Sequence, residues 1–424
     1  MPSSTHALFI PYPAQGHVLP LLELAHCFAD HGFAVTFVNT DHIHGQLVAA
    51  SLELVAGQDD GAPPESGQVR FISISDGVPQ DGDRNDLGTL TRAVMSSLPA
   101  AVEDTVQNGQ FCCMVVDYAL ALVLGVAKKA GMRTATLWPS CAAMRAAGLD
   151  LPELIADGML DKDSLPTGKQ IPPVGDLQMN LAPLGWNAAG TEEAQRQIFR
   201  SLNNSLKALG QDTIDLLLCS TVKELEEGIL PIGLLPTGLR AGKPVGNFWA
   251  EDDSCLLWLD AQPDRSVIYV AFGSMAVLDQ KQFHELARGL ELSGRCFLWV
   301  TVEKRGKIVT WSPQHRLLAH PVVACFVSHC GWNSVMEGMT WPHFADQFID
   351  ESYVCDVWKT GLRLTKDAGG VVTSEHIAAR IENLLNDPAT MSRALELQQA
   401  ASRSIGEDGT SFNNLTAGIN AMKG

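Results

Sequence analysis

A chain of 424 residues, 46% hydrophobic and 18% charged, has an ordinary globular composition and is long for one core, so two domains of roughly 200 residues are expected. The net charge of -18 argues against a nucleic-acid or anionic-membrane partner, because counterion release needs clustered Lys and Arg. Ten cysteines without framework spacing or a Cys-x-x-Cys pair exclude a disulfide scaffold and suit reduced thiols in the cytoplasm.

The chain starts "MPSSTHALFIPYPAQGH", which has no basic leader and breaks its apolar run at Pro11, so no secretory signal is expected. No apolar run of about 20 residues is present to span a bilayer. The stretch "HALFIPYPAQGHVLPLLELAHCFADHGFAVTFVNT" predicts strand, Gly-containing turn, helix and strand. Leu22, Ala25 and Ala29 recur at helical spacing, Gly32 ends the helix, and "AVTFVNT" is β-branched and apolar. The pattern returns at "CCMVVDYALALVLGVAKKAGMRTATLW", where a strand ends at Asp117 and a helix ends at Gly131. Such alternation predicts a doubly wound α/β domain over residues 1–237. Residues 238–252, "GLRAGKPVGNFWAED", are rich in Gly and Pro and suit a linker. A second α/β domain then runs over residues 253–405, through "SVIYVAFGS" as a strand, "QKQFHELARGLELSG" as a helix and "CFLWVTV" as a strand. Residues 406–424 end in a short helix. Two doubly wound sheets place their carboxyl edges across a cleft, and ligands bind outside those edges.

His17 lies beyond the first strand, at the mouth of the N-terminal sheet, where an imidazole can serve as a general base. Asp117 ends a strand of the same sheet. Its carboxylate could orient His17, or it could cap the helix that follows, and the sequence leaves both readings open. No Gly-x-Ser-x-Gly elbow, Gly-x-Gly-x-x-Gly fingerprint or Walker lysine loop occurs. His42, His44 and the His329-Cys330 pair do not make a metal set, so no metal is expected.

Residues 311–347 read "WSPQHRLLAHPVVACFVSHCGWNSVMEGMTWPHFADQ". "VVACFVS" is a strand and "SVMEGM" predicts a helix, which puts Asn333 and Ser334 at a helix N-terminus with free N–H groups for a phosphate. His329 at the strand end can donate to the same anion. Glu337 stands at capping-box spacing from Ser334, and its carboxylate could instead accept two vicinal ribose hydroxyls. Trp311 and Gln314 suit a planar base, and Ser274 after "FG" offers a further phosphate donor. Together these side chains describe a pocket for base, ribose and diphosphate.

The stretch resembles the plant secondary-product glycosyltransferase signature of family 1 UDP-glycosyltransferases, from "WSPQ" through "HCGWNS" and "E" to "DQ". The resemblance covers nearly the whole chain: "PYPAQGH" is similar to the family's catalytic-His segment, "LLLCSTVKELE" to the end of its N-terminal domain, and "WLDAQP" to the entry of its C-terminal domain. It implies a GT-B fold, two Rossmann-like parallel-sheet domains facing a cleft, with the last helix returning to the first domain. It implies inverting transfer of a sugar from UDP-sugar to a small, largely apolar hydroxyl acceptor by a cytoplasmic monomer, with UDP-glucose as co-substrate and no cofactor or metal. His17 would deprotonate the acceptor and Asp117 would orient it. Trp311 would stack on uracil, Gln314 reach the ribose region and Glu337 hold the ribose hydroxyls. His329, Asn333, Ser334 and Ser274 would hold the diphosphate. Trp332, Asp346 and Gln347 would contact the sugar, the terminal Gln347 favouring glucose. Asp76, Trp138 and Ser140 would line the acceptor side.

The signature is several residues shorter here than in the family, at Thr340–Trp341, where a Gly-Val-Pro turn and the start of an apolar strand are missing. A second shortfall lies near residues 301–304. Either the chain lacks these segments, leaving a nucleotide-sugar-binding protein with weak or no turnover, or the sequence joins residues across segments missing from it. The intact flanks favour the second reading.

Overall fold

A computed structural model of the chain describes residues 5–50, 64–162, 167, 191–209, 213–226, 230–233, 254–273, 278–300, 308–309, 312–334, 339–340 and 347–423. The expected linker, 238–252, lies outside them. Described residues up to 233, together with 400–423, form one compact unit, and 254–399 form a second.

The first unit is a sheet of β1 (His6–Ile10), β2 (Ala34–Thr40), β3 (Val69–Ile74), β4 (Cys113–Asp117), β5 (Arg133–Trp138) and β6 (Leu216–Cys219). Its order is β3-β2-β1-β4-β5-β6, every pair parallel. Parallel strands carry helices on both faces, so β1 and β4 are apolar over Ala7–Ile10 and Cys113–Val116 and are buried at every residue. Ala7 and Phe9 of β1 point to the face covered by the helix Gln15–Asp30, through Leu21, Leu24, Ala25 and Phe28. Leu8 and Ile10 point to the opposite face and meet Leu90, Val94 and Leu98 of the helix Leu87–Asn108. The C-terminal helix Thr410–Ala421 belongs to this unit. Its Leu415 and Ile419 enter the cluster around Ala7 and Phe9, and Asn414 Nδ2 donates to the Pro231 carbonyl at 2.9 Å.

The second unit is a parallel sheet of β7 (Val267–Ala271), β8 (Cys296–Val300), β9 (Ile308–Val309), β10 (Val323–Ser328) and β11 (Met339–Thr340), in the order β11-β10-β7-β8-β9. Ile268 and Val270 face one core, Val267, Tyr269 and Ala271 the other.

Both sheets reverse their winding once. In the first the reversal falls between β1 and β4, in the second between β7 and β10. Connections leave the sheet in opposite directions at such a point and open a crevice beyond the carboxyl ends of the two strands. His17 follows β1 and Asp117 ends β4; Gly273 follows β7 and His329 follows β10. Topology alone therefore selects these four positions.

The edge beyond β10 departs from expectation. The helix predicted at "SVMEGM" does not reach Met339, which pairs with Val327, as Thr340 does with Ser328, in β11; residues 335–338 lie outside the described residues. Ten residues, 329–338, join the two strands, against the roughly ten to twelve or more that a parallel crossover needs. A three-residue 3-10 turn, Trp332–Ser334, occupies the start of that connection. Only 335–338 remain before β11, room for about one helical turn. The residues at both shortfalls, 301–304 and 341, lie outside the described residues. β11 is described over two residues, Met339–Thr340.

Candidate active site

At the first sheet's reversal the chain leaves β1 through Pro11 to Ala14 and enters the helix Gln15–Asp30. Gly16 is in that helix and not in a turn, as the sequence had suggested. His17 sits in the first turn, where its amide and that of Val18 both donate to the Ala14 carbonyl at 2.9 Å. Its Nδ1 lies 2.8 Å from Asp117 Oδ2. Asp117 is wholly buried, whereas the His17 side chain keeps 27% exposure. A carboxylate accepts from Nδ1–H, which holds the proton there and makes Nε2 the basic nitrogen. Asp117 Oδ1 accepts from the Ala119 amide at 2.9 Å, capping the 3-10 helix Tyr118–Val123. Asp117 thus meets His17 with one oxygen and the Ala119 amide with the other. Tyr12 and Tyr118 flank the imidazole, with ring centroids 5.2 and 6.0 Å away. Tyr12 bonds Thr91 Oγ1 at 2.7 Å, and burial pushes its phenol up to about 12, so it remains neutral.

At the second reversal the His329 ring is clasped by glycines. A Cβ on Gly273 or on Gly331 would lie 2.6 Å from His329 Nε2, and Gly273 also has φ +68°. No larger residue fits either place without moving the ring. Cys330, between them, adopts φ +62°, a left-handed conformation costly for a non-glycine residue, and its amide donates to Ser328 Oγ at 3.1 Å. Gln314 opens the short helix Gln314–Leu318, and its Nε2 donates to Ser334 Oγ at 3.0 Å. The Ser334 amide donates to the Gly331 carbonyl at 2.7 Å. That N–H is therefore not free for an anion, contrary to expectation; the hydroxyl is the group Ser334 has to offer.

The UDP-glucoronosyl and UDP-glucosyl transferase family model matches residues 243–401. UDP-glycosyltransferase 83A1 of Arabidopsis thaliana is 36% identical over 462 aligned positions, covering 99% of this chain and 97% of the relative. The chain belongs to the plant family 1 UDP-glycosyltransferases. The gallate 1-beta-glucosyltransferase of Quercus robur is 30% identical, over 99% of this chain and 90% of that protein. The crystal structure of Medicago truncatula UGT71G1 complexed with UDP-glucose superposes with a TM-score of 0.79 at 21% identity, covering 99% of this chain and 98% of that one. The fold is GT-B, and the protein is a glycosyltransferase using a UDP-sugar. The alignment to the Arabidopsis relative is longer than the 424-residue sequence, so that relative carries segments with no counterpart in this sequence.

Of the other expected donor-site residues, Ser274, Trp311, Glu337 and Asp346, with the side chain of Asn333, lie outside the described residues. Trp332 is buried, with centroids 6.2 Å from both Tyr353 and Trp358. Gln347 is likewise buried, at the start of the helix Gln347–Ser352. On the acceptor side, Asp76 is committed to Arg84, whose Nε and Nη2 donate to its two oxygens at 2.7 and 3.2 Å, and to the Val78 amide at 2.8 Å. Burial would raise its pKa, but these donors outweigh it and hold the carboxyl below its usual range. Trp138 is fully buried behind Tyr118, its Nε1 donating to the Cys141 carbonyl at 3.0 Å, and Ser140 is also buried. Sequence reasoning missed Arg84, Tyr12, Tyr118 and Gly331. The "PYP" and "DY" residues beside His17 and Asp117 were visible, but nothing in their spacing said that the aromatic rings flank the imidazole. Among the described residues no group of three or more His, Cys, Asp or Glu could hold a metal ion, no helix is long and apolar enough to cross a membrane, and none of the ten cysteines is in a disulfide.

Proposed function

We propose that this glycosyltransferase transfers glucose from UDP-glucose to a hydroxyl of a small, largely apolar acceptor, with inversion and without a metal. His17 Nε2 takes the acceptor's hydroxyl proton as the oxygen attacks the anomeric carbon. The bond from that carbon to the diphosphate breaks, and UDP leaves with the electron pair. Asp117 keeps the proton on Nδ1 and stabilises the imidazolium that forms. The observation that carries this reading is the 2.8 Å pair between a buried carboxylate and a part-exposed imidazole at the sheet's reversal. His329 and the Ser334 hydroxyl meet the charge that develops on the diphosphate, with Ser274 and Asn333 as further donors. Trp311 stacks on uracil, and Glu337 binds the ribose. Glucose as donor is supported by the terminal Gln347 of the signature and by relatives named as glucosyltransferases.

The test is His17→Ala, assayed with labelled UDP-glucose against a panel of hydroxylated acceptors. General-base assistance is worth about 10²–10⁴-fold, so turnover is expected to fall by that much while UDP still binds. Turnover equal to the wild type would overturn the assignment.

A further inference from the structure

Beneath the second sheet's edge lies a run of hydrogen bonds that the proposed transfer does not use directly. Tyr269, buried on β7, has its hydroxyl 3.0 Å from Ser312 Oγ and donates to Gln314 Oε1 at 3.3 Å. Gln314 Nε2 then donates to Ser334 Oγ at 3.0 Å. Each link fixes the sense of the next. A phenol that donates to Gln314 must accept from Ser312. An amide whose oxygen is taken must present its N–H₂ to Ser334. A serine oxygen that accepts from an amide has its own proton left to give elsewhere. Burial raises the Tyr269 phenol above its ordinary range, so it stays a donor at every working pH.

We infer that Tyr269 is a positioning residue for the donor diphosphate: by donating to Gln314 Oε1 it fixes the orientation of the amide and turns the Ser334 hydroxyl outward as a donor. The inference rests on the reading of Ser334 as a diphosphate ligand. Without the phenol proton the Gln314 amide can rotate by half a turn. Its Oε1 would then face Ser334 and draw the serine proton inward, away from the phosphate.

The test measures calorimetric affinities for UDP and for uridine with the wild type, Tyr269→Phe, Ser334→Ala and the double variant. A hydrogen bond to a charged group is worth enough for roughly a tenfold change in affinity. Each single variant is expected to weaken UDP about that much and leave uridine within about twofold, and the double variant to be no weaker than the worse single one. Wild-type uridine affinity also shows that the phenylalanine variant is folded. If Ser334→Ala weakens UDP and Tyr269→Phe does not, the role of Tyr269 is refuted. Equal losses for UDP and uridine would make Tyr269 a packing residue and refute it too. If Ser334→Ala leaves UDP unchanged, the diphosphate reading of Ser334 fails instead.

Discussion

Burying a carboxylate costs several kcal/mol unless donors replace the water it loses. Asp117 has two such donors, the His17 imidazole and the Ala119 amide, one on each oxygen. Asparagine in its place keeps an oxygen for Ala119 but sets an N–H₂ group against His17 Nδ1. Asp117→Asn is therefore expected to melt near the wild-type temperature while turnover falls by roughly 10²-fold or more. Asp117→Ala should lose the same activity and also about 0.5–2 kcal/mol of stability with the cap. Equal activity in Asp117→Asn and the wild type would show that the carboxylate only caps. The sequence made both roles legible, since an Asp at a strand end can do either. It could not decide between them because one hundred residues separate the partners. Nor could it see that His329 is gripped by Gly273 and Gly331, a contact made only when two loops meet.

The loop after β3 shows what local pattern conveys about an element and what it does not. "SDGVP" reads as a turn, yet its shape comes from Arg84, which also donates to the carbonyls of Val78, Pro79 and Gly82 at 3.1 to 3.3 Å. Val78 meanwhile packs into the cluster that holds Tyr12 beside His17. Asp76 is depressed in the folded state. Its stabilising contribution is thus complete above the ordinary carboxylate pKa of about 4 and is lost as pH falls through and below that value. Hydrogen exchange at the Val78 amide is expected to quicken as wild-type protein is taken below about pH 4, after correction for intrinsic rates. Asp76→Asn should already exchange fast at neutral pH. Protection that does not change with acid would contradict the assignment. The helix expected after Ser334 falls largely on residues 335–338, outside the described residues. Ser334 and Glu337 carry a capping-box spacing, which is local information, whereas the pairing of Met339 with Val327 in β11 is not.

At the scale of the molecule, the alternation of apolar strands and helices made both parallel sheets readable. Strand order was not, because neighbours in a sheet are chosen by crossovers that the one-dimensional pattern does not record. That order nonetheless puts the His17–Asp117 pair at one reversal and the His329 and Ser334 groups at the other. The C-terminal helix completes the first unit's core, with Leu415 and Ile419 buried against β1's face. Leu415→Ala should cost about 2–5 kcal/mol in denaturant unfolding, as for other large-to-small core changes. A loss below about 0.5 kcal/mol would mean that the helix does not support that core. His17, held by Asp117, is proposed to deprotonate the acceptor. The most direct test is glucose transfer from labelled UDP-glucose by His17→Ala, with UDP affinity measured on the same sample. Transfer lowered by about 10²–10⁴-fold at unchanged UDP affinity is the predicted result; transfer at the wild-type rate would contradict it.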